Sequence, residues 1–256
     1  MTLTDAFGIK NREVISLVGG GGKTTLMFAL GRELSSRLKG VVLTTTTKIW
    51  EPTSSPNFAL FISDQISEIK NWVTKSLEAY PFLLVATRRL ESEKLQGVAP
   101  SWLEEVHSLP GVSVIVVEAD GAAGRSLKAP REGEPVLPAN TTLLVPVVGI
   151  DVLDHPLDEE HVFRSEIAAR LLNISRGRPV TKEIISGLLL ETIKGRPKGV
   201  RVIPFINKVD VPGGLEKGKE LAKVFLSLGQ IQMEKVVLGQ AQNSPVVKEI
   251  VWPGSR

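Results

Sequence analysis

The feature that most restricts how this chain can fold is a run of four glycines followed by Lys23 and two threonines. The short segment 13–18 directly before the run is rich in β-forming residues and predicts a buried strand. After the run, apolar residues recur at helical spacing from Leu26 to Leu34 and predict a helix. The chain must therefore turn sharply from a strand into a helix, and glycine permits the backbone conformations that such a turn needs.

This segment resembles a P-loop, the phosphate-binding turn of many nucleotide-binding proteins. Backbone N–H groups of a glycine loop and a helix N-terminus can donate to phosphate oxygens, a lysine can reach the β- and γ-phosphates, and a threonine hydroxyl can ligate Mg²⁺. Leu17 departs from the usual pattern, which has glycine at that position, and a glycine turn that binds nothing is the alternative. The residues predicted to bind the nucleotide here are Gly19, Gly20, Gly21, Gly22, Lys23, Thr24 and Thr25.

Two carboxylates follow the most strand-like segment of the chain, residues 112–117. Glu118 and Asp120 are predicted to hold Mg²⁺ together with Thr24, and to act in catalysis together with Lys23. The pattern Glu-x-x-Gly that begins at Glu118 is similar to the form found in the GTPases that mature urease, hydrogenase and cobalamin enzymes. The alternative is a pair of solvated carboxylates at the end of a strand.

A third motif, at residues 207–210, matches the base-recognition sequence Asn-Lys-x-Asp of GTPases. The carboxylate of Asp210 can accept hydrogen bonds from the N1–H and exocyclic amine of guanine, which adenine does not present. Lys208 would pack along the base, Asn207 would tie the base to the loop, and a backbone N–H within residues 239–241 would meet the guanine oxygen. Because Asn and Asp also favour plain turns, the motif predicts GTP but leaves ATP open.

Alternating strand-like and helix-like segments predict one α/β domain over residues 1–256, with three layers and a mainly parallel sheet. Between about 151 and 198 only helices are predicted, which indicates a helical insert. The strand-like residues 143–148 contain Pro146, which either weakens the prediction of a strand or implies an edge position or a bulge, because proline cannot donate to a strand ladder.

Some polar residues carry two interpretations. The threonines and lysine at 44–48 follow another predicted strand, and either sense the γ-phosphate or extend the sheet. His155 and His161 lie among carboxylates, where a solvated loop is favoured over a transition-metal site. Arg164 can supply a guanidinium that stabilises negative charge, although no local motif requires it.

Composition removes several classes of function. The chain has no cysteine, which excludes disulfides, thiolate catalysis, Fe–S clusters and cysteine-based zinc sites. A formal charge of +3 spread over 256 residues gives no footprint for nucleic acid. No uncharged run approaches the roughly 20 residues that cross a bilayer, so we expect a soluble, cytoplasmic protein that does not bind membranes.

Taken together, residues 18–25, 44–48, 117–125 and 207–210 resemble the YqeC family, whose members are described as accessory proteins of selenium-dependent hydroxylases or of selenium cofactor biosynthesis. The block Glu-Ala-Asp-Gly-Ala-Ala-Gly within the third segment is the most specific part of the resemblance. The resemblance implies a role in maturing a selenium-containing cofactor of molybdenum hydroxylases, with a hydroxylase or a maturation protein as partner. Dimers are common among the related maturation GTPases, so the resemblance also leaves a homodimer open.

The motifs favour a Mg²⁺-dependent GTPase, and two other functions stay open. A small-molecule kinase would use the same loop and bind its second substrate near residues 44–48 and 125–128. In that segment Arg125 and Lys128 are either cations that neutralise an anion or ordinary surface cations. A non-catalytic chaperone would instead use nucleotide binding as a conformational switch.

Overall fold

The structure, a computed structural model, describes residues 1–53, 58–229 and 231–254. Its helices are α1 (Leu3–Phe7), α2 (Lys23–Ser35), α3 (Ile66–Ser76), α4 (Trp102–Ser108), α5 (Ser165–Leu172), α6 (Lys182–Ile193) and α7 (Gly214–Ser227), with one 3₁₀ turn, η1 (Ile150–Val152). Its strands are β1 (Glu13–Gly19), β2 (Val41–Thr45), β3 (Lys48–Trp50), β4 (Phe58–Ile62), β5 (Phe82–Ala86), β6 (Arg88–Arg89), β7 (Lys94–Gln96), β8 (Val114–Glu118), β9 (Leu127–Lys128), β10 (Leu143–Gly149), β11 (Val162–Phe163), β12 (Arg201–Val202), β13 (Phe205–Asn207), β14 (Val236–Gly239) and β15 (Val247–Val251).

The main sheet has the strand order β15-β14-β13-β10-β1-β8-β2-β5-β4, and β12 also pairs with β10. Every pairing in it is parallel except that of β15 with β14. Helices α1 and α2 pack on one face, and α3 to α7 pack on the other. Successive strand residues alternate between the two cores: Val14 joins one and Ile15 the other. The predicted three-layer α/β fold with a mainly parallel sheet is confirmed.

Pro146 lies near the middle of the sheet, so the predicted edge position or bulge is wrong. On one side, β10 pairs continuously with β1, where Pro146 is opposite Val18. On the other side the partner is interrupted, because β12 ends before Ile203 and β13 begins at Phe205. The carbonyl of Leu144 points to that side, where it accepts from the N–H of Ile203. Because the backbone groups of every second strand residue point to the same side, the nitrogen of Pro146 faces the interruption. The hydrogen-bond ladder on this side of β10 is therefore interrupted at the residue that has no N–H to donate.

The helical insert predicted at about 151–198 contains α5 and α6, but it also holds the short strand β11, which pairs with β9 outside the main sheet. A small antiparallel sheet, β3-β7-β6, was not predicted, since its strands have only two or three residues. The longest helix in the described part of the chain, α7, has 14 residues, too few to span a lipid bilayer, and no other described helix is suited to do so.

Candidate functional site

The glycine loop joins β1 to α2 at the centre of the sheet. Gly21 and Gly22 have φ angles of 78° and 110°, in the left-handed region that favours glycine. A Cβ on Gly21 would overlap the backbone nitrogen of Gly149, and one on Gly22 would lie 2.5 Å from Nδ2 of Asn207. Leu17, where the usual pattern has glycine, is a fully buried strand residue. The turn therefore begins at Gly19 and is held tightly against the end of β10.

Helix α2 begins with free backbone donors. Its N-terminal cap is Gly22, whose conformation is left-handed and which provides no side-chain cap. The N–H groups of Gly20 and Gly21 donate to the carbonyls of Val147 and Arg125 at 2.9 Å and 2.8 Å. Among the described residues, the N–H groups of residues 22–25 have no acceptor outside the helix, and a helix leaves its first N–H groups unpaired. Four donors and the positive end of the helix dipole thus converge where an anion can bind.

Lys23 is almost completely buried, at 3% exposed, in the first turn of α2. Its ammonium donates to the carbonyl of Gly19 at 2.5 Å and lies 3.2 Å from Oδ1 of Asp120 and 3.8 Å from Oε1 of Glu118. These partners compensate the cost of burying the charge. The lysine is therefore fixed at the rim of the loop, beside the free N–H groups.

Thr24 and Glu118 lie beside each other next to the glycine loop, because β8 is the neighbour of β1 and both strands end at this edge of the sheet. The Thr24 hydroxyl donates to Oε2 of Glu118 at 2.6 Å. Burial raises the pKa of Glu118, and the nearby Lys23 ammonium only partly opposes that rise. A hydroxyl beside a buried carboxylate is a pair of hard oxygen donors, which fits Mg²⁺.

No group of three or more His, Cys, Asp or Glu side chains converges on a metal position within the described ranges. Mg²⁺ at a nucleotide site does not need such a group, because one or two carboxylates, phosphate oxygens and waters complete its coordination. The donors present at Thr24 and Glu118 therefore fit a nucleotide-bound Mg²⁺ better than a free-standing metal site.

Asp120 lies beneath the loop, with no exposed surface. Its carboxylate accepts from the Gly19 N–H at 2.9 Å and pairs with Lys23 and, at 3.1 Å, with Lys128. Asp120 is also absent from the residues that line the neighbouring cleft. This placement favours a positioning role for Asp120 over the predicted role as a metal ligand.

Lys128 and Glu134 continue this buried network. Lys128 is 1% exposed and pairs with Glu134 at 2.7 Å, so neither predicted interpretation, an anion-binding or a surface cation, describes it. Arg164 also binds Glu134, through two hydrogen bonds of 2.6 Å and 3.0 Å, and Arg131 approaches it at 2.9 Å. Although burial opposes ionisation, the hydrogen bonds from Arg164 and Lys128 lower the pKa of Glu134 to about 2.

Sequence reasoning missed Glu134, because it lies in a segment without motif or periodicity. Arg164 was identified as a candidate guanidinium, and the structure places it at the rim of the cleft with a left-handed φ of 62°. Such a conformation is uncommon for a residue with a side chain. The guanidinium is held by Glu134 and stacks on Phe163, 4.6 Å from the ring centre.

The base-recognition motif lies on the other side of the loop, at the end of β13. The Asn207 side chain donates to the carbonyl of Gly21 at 2.6 Å and accepts from the Ala241 N–H at 2.8 Å. The Lys208 ammonium binds Asp151 at 2.7 Å, and Asp210 is exposed and accepts from Asn243 at 3.0 Å. Asn207 therefore ties the glycine loop to the loop after β14, and it occupies the Ala241 N–H within the segment predicted to meet guanine.

The threonine run lies partly in the sheet, as one of the two interpretations predicted, and partly along the cleft. Thr44 and Thr45 are buried strand residues of β2, and the Thr45 hydroxyl donates to the carbonyl of Glu118 at 2.7 Å. Thr46 and Thr47 line the cleft with Lys48. The run both extends the sheet and forms one wall of the cleft.

His155 and His161 stack on each other, with ring centres 4.4 Å apart, and Nδ1 of His161 lies 2.8 Å from Asp158. These side chains do not form a group of three that could hold a metal ion, and none is found elsewhere among the residues that the structure describes. A loop stabilised by stacking and by one hydrogen bond accounts for both histidines.

A cleft of about 690 Å³ opens in front of the glycine loop. Its walls run from residues 21–25 past Glu118 to the segment 121–125 and to the small sheet that carries Trp50. Lys208 lies at its edge, while Asn207 and Asp210 do not line it. Pockets of a few hundred to a thousand Å³ are typical of small-molecule sites.

The fold and this site define a three-layer α/β protein with a P-loop-like turn between its central strand and a helix. The family model for "YqeC protein" matches residues 15–166, more than half of the chain, and the protein belongs to the YqeC family. The chain is also similar to "Uncharacterized protein YqeC" of Escherichia coli (strain K12), with 28% identity over 241 residues, which cover 93% of this chain and 91% of the relative.

Proposed function

We propose that this protein binds a Mg²⁺–nucleoside triphosphate at residues 19–25 and hydrolyses it, with GTP preferred over ATP. The observation that carries the proposal is the convergence of unpaired N–H groups at the start of α2, the buried Lys23 ammonium and the Thr24–Glu118 pair. Each supplies one part of triphosphate binding: backbone donors, a cation and a magnesium-holding oxygen pair.

The chain's own residues account for binding and positioning. The N–H groups of residues 22–25 donate to phosphate oxygens, and Lys23 exchanges its bond to the Gly19 carbonyl for one to a phosphate oxygen. Thr24 and Glu118 hold Mg²⁺, which when bound neutralises negative charge on the phosphates. Asp120 keeps the Lys23 ammonium oriented from below. Stabilisation of charge by groups already in place is the main source of rate in phosphoryl transfer.

The choice of base is tested at Asp210, which is exposed and whose carboxylate accepts from Asn243. Asp210→Ala is expected to weaken GTP binding about 100-fold and to change ATP binding by less than about two-fold, because guanine presents the N1–H and the 2-amino group to this carboxylate, whereas N1 of adenine is an acceptor and C2 of adenine has no amine. Calorimetric titration of the purified protein with each nucleotide and Mg²⁺ measures both. Equal binding of GTP and ATP by the unsubstituted protein would contradict the proposed preference for GTP.

Asp210→Asn is the informative companion variant. Its amide adds a donor that suits the C2 carbonyl of xanthine, so binding of xanthosine triphosphate is expected to increase while GTP binding falls. Glu216→Ala, at an exposed carboxylate in the first turn of α7, is the matched control and leaves the preference for guanine unchanged.

A small-molecule kinase is the second candidate function. It is favoured by the extension of the cleft beyond Glu118 to Arg125 and Trp50, since hydrolysis by itself requires only a water there. Mass spectrometry of the products formed from GTP and candidate acceptors separates the two functions, because a kinase yields a phosphorylated acceptor and a hydrolase yields inorganic phosphate.

The accessory role in maturing a selenium-containing cofactor of molybdenum hydroxylases is proposed from the family resemblance. Disrupting the gene in its host is expected to abolish selenium-dependent hydroxylase activity while hydroxylase protein persists. Unsubstituted protein restores that activity, and Lys23→Ala does not, because nucleotide binding is required. Normal hydroxylase activity in the disrupted strain would rule out this role and leave the nucleotide chemistry to be judged separately.

A further inference from the structure

The cleft in front of the glycine loop extends away from the base-recognition motif. Along the sheet, β13 and β2 lie on opposite sides of β1, in the order β13-β10-β1-β8-β2. Four strand spacings therefore separate the motif from the segment that follows β2, about 19 Å. A nucleotide whose base lies toward Asp210 and whose phosphates lie at Lys23 leaves the part of the cleft beyond Glu118 free.

The cleft carries an excess of positive charge. The charged residues that line it are seven cations and two carboxylates, namely Lys23, Lys48, Lys94, Arg125, Arg131, Arg164, Lys208, Glu118 and Glu134. Two of these cations, Lys23 and Lys208, are also paired with Asp120 and Asp151, which do not line the cleft, so three cations remain in excess. A triphosphate with Mg²⁺ bound carries about two negative charges, so it does not neutralise the cleft. Positive walls around a concave site concentrate anions.

The cations beyond Glu118 have few anionic partners within the protein. Arg125 donates only to backbone carbonyls, those of Glu159 and Ala123, among the residues that the structure describes. Lys48 and Lys94 form no ion pair with a described carboxylate. Glu134, which lines the cleft, is already shared by Lys128, Arg131 and Arg164. Arg125, Lys48 and Lys94 are therefore available to an anion.

The far wall of the cleft carries an exposed aromatic ring. Trp50 on β3 is 62% exposed, although the Lys94 ammonium from the paired position on β7 lies 4.5 Å from its ring centre. An indole face favours stacking with a planar ring. Trp50, Lys48 and Lys94 lie on the small sheet, and Arg125 lines the same cleft from the segment 121–125.

We propose that the part of the cleft between Trp50, Lys48 and Arg125 is a binding site for a second ligand, a small molecule that carries a phosphate or carboxylate group on a planar ring. This inference rests on the proposed function, because it places the second ligand opposite a nucleotide held by Lys23. The anionic group binds Arg125 and Lys48, and the ring stacks on Trp50.

The test uses phenyl phosphate, phthalate and inorganic phosphate as probes. Each is titrated calorimetrically into the full chain saturated with a non-hydrolysable GTP analogue and Mg²⁺, so that the glycine loop is occupied. Phenyl phosphate or phthalate is expected to bind one site and to bind more tightly than inorganic phosphate. The affinity is expected to fall about ten-fold or more in Arg125→Ala, Lys48→Ala and Trp50→Ala.

Arg88→Ala, at an exposed arginine outside the cleft lining, is the matched control and keeps the affinity of the unsubstituted protein. The proposal is overturned if no probe binds, if the analogue displaces every probe, or if the three variants bind like the control. Failure of the proposed function has a different signature: the analogue itself does not bind, yet probe binding to the chain alone still depends on Arg125 and Trp50.

Discussion

Lys23→Ala is expected to weaken triphosphate binding at least about 100-fold, because a phosphate oxygen loses a charge-assisted hydrogen bond worth about 1.5–3 kcal/mol and a neighbouring positive charge. The Lys23 ammonium is buried and lies at the rim of the loop, so no other described cation is positioned to replace it beside the N–H groups of α2. The measurement is titration with GTP, ATP and Mg²⁺, followed by single-turnover hydrolysis.

The substitution also removes a cation from between two buried carboxylates, so folding must be checked. Asp120 keeps its bonds to Gly19 and Lys128, and we expect circular dichroism to show a folded protein. Lys23→Met, which keeps most of the apolar stem, provides a second variant with the same expected loss. Lys39→Ala, at an exposed lysine after α2, is the control. Undiminished binding by folded Lys23→Met would refute the phosphate site.

The second large effect is expected at Glu118. Glu118→Gln keeps an oxygen that can accept from Thr24 but removes the negative charge, so Mg²⁺ is held weakly. We expect hydrolysis to fall about 100-fold or more and the dependence of nucleotide binding on Mg²⁺ to become much weaker. The measurement is a Mg²⁺ titration of GTP binding and of phosphate release.

Asp120→Asn distinguishes the role of Asp120 from that of Glu118, since the sequence predicted both carboxylates as metal ligands. Because Asp120 pairs with Lys23 and Lys128 below the loop, its neutralisation is expected to lower the melting temperature and to leave the Mg²⁺ requirement of nucleotide binding nearly unchanged. If Asp120→Asn instead abolishes the Mg²⁺ requirement and Glu118→Gln does not, then Asp120 holds the metal and Glu118 has the positioning role.

Much of the fold could be predicted because the local pattern and the tertiary structure agree. The glycine run follows β1 and precedes α2 as predicted, and the strongly apolar segments at 82–86 and 112–117 contain β5 and most of β8. The position of Pro146 could not be predicted, because the compensating break lies in another strand, about 60 residues later. The small sheet that carries Trp50 consists of strands too short to leave a periodic signal.

The candidate site divides in the same way. The proximity of Lys23, Thr24 and Glu118 could be predicted, because the loop, the start of the helix and the end of the strand are each local features of the sequence. Adjacent parallel strands then bring their carboxyl ends to one edge of the sheet. The burial of Asp120 and Lys128 could not be predicted, since it depends on the segments of the chain that pack over them.

By itself, the sequence determined that a glycine turn connects a buried strand to a helix, and that a lysine, a hydroxyl and two carboxylates lie near the ends of the strands that form the site. Only the tertiary structure decided which carboxylate meets Thr24, which one lies beneath the loop, and which cations remain free in the cleft. The physical reason is that local propensity fixes backbone direction residue by residue, whereas burial and ion pairing arise between segments far apart in the chain.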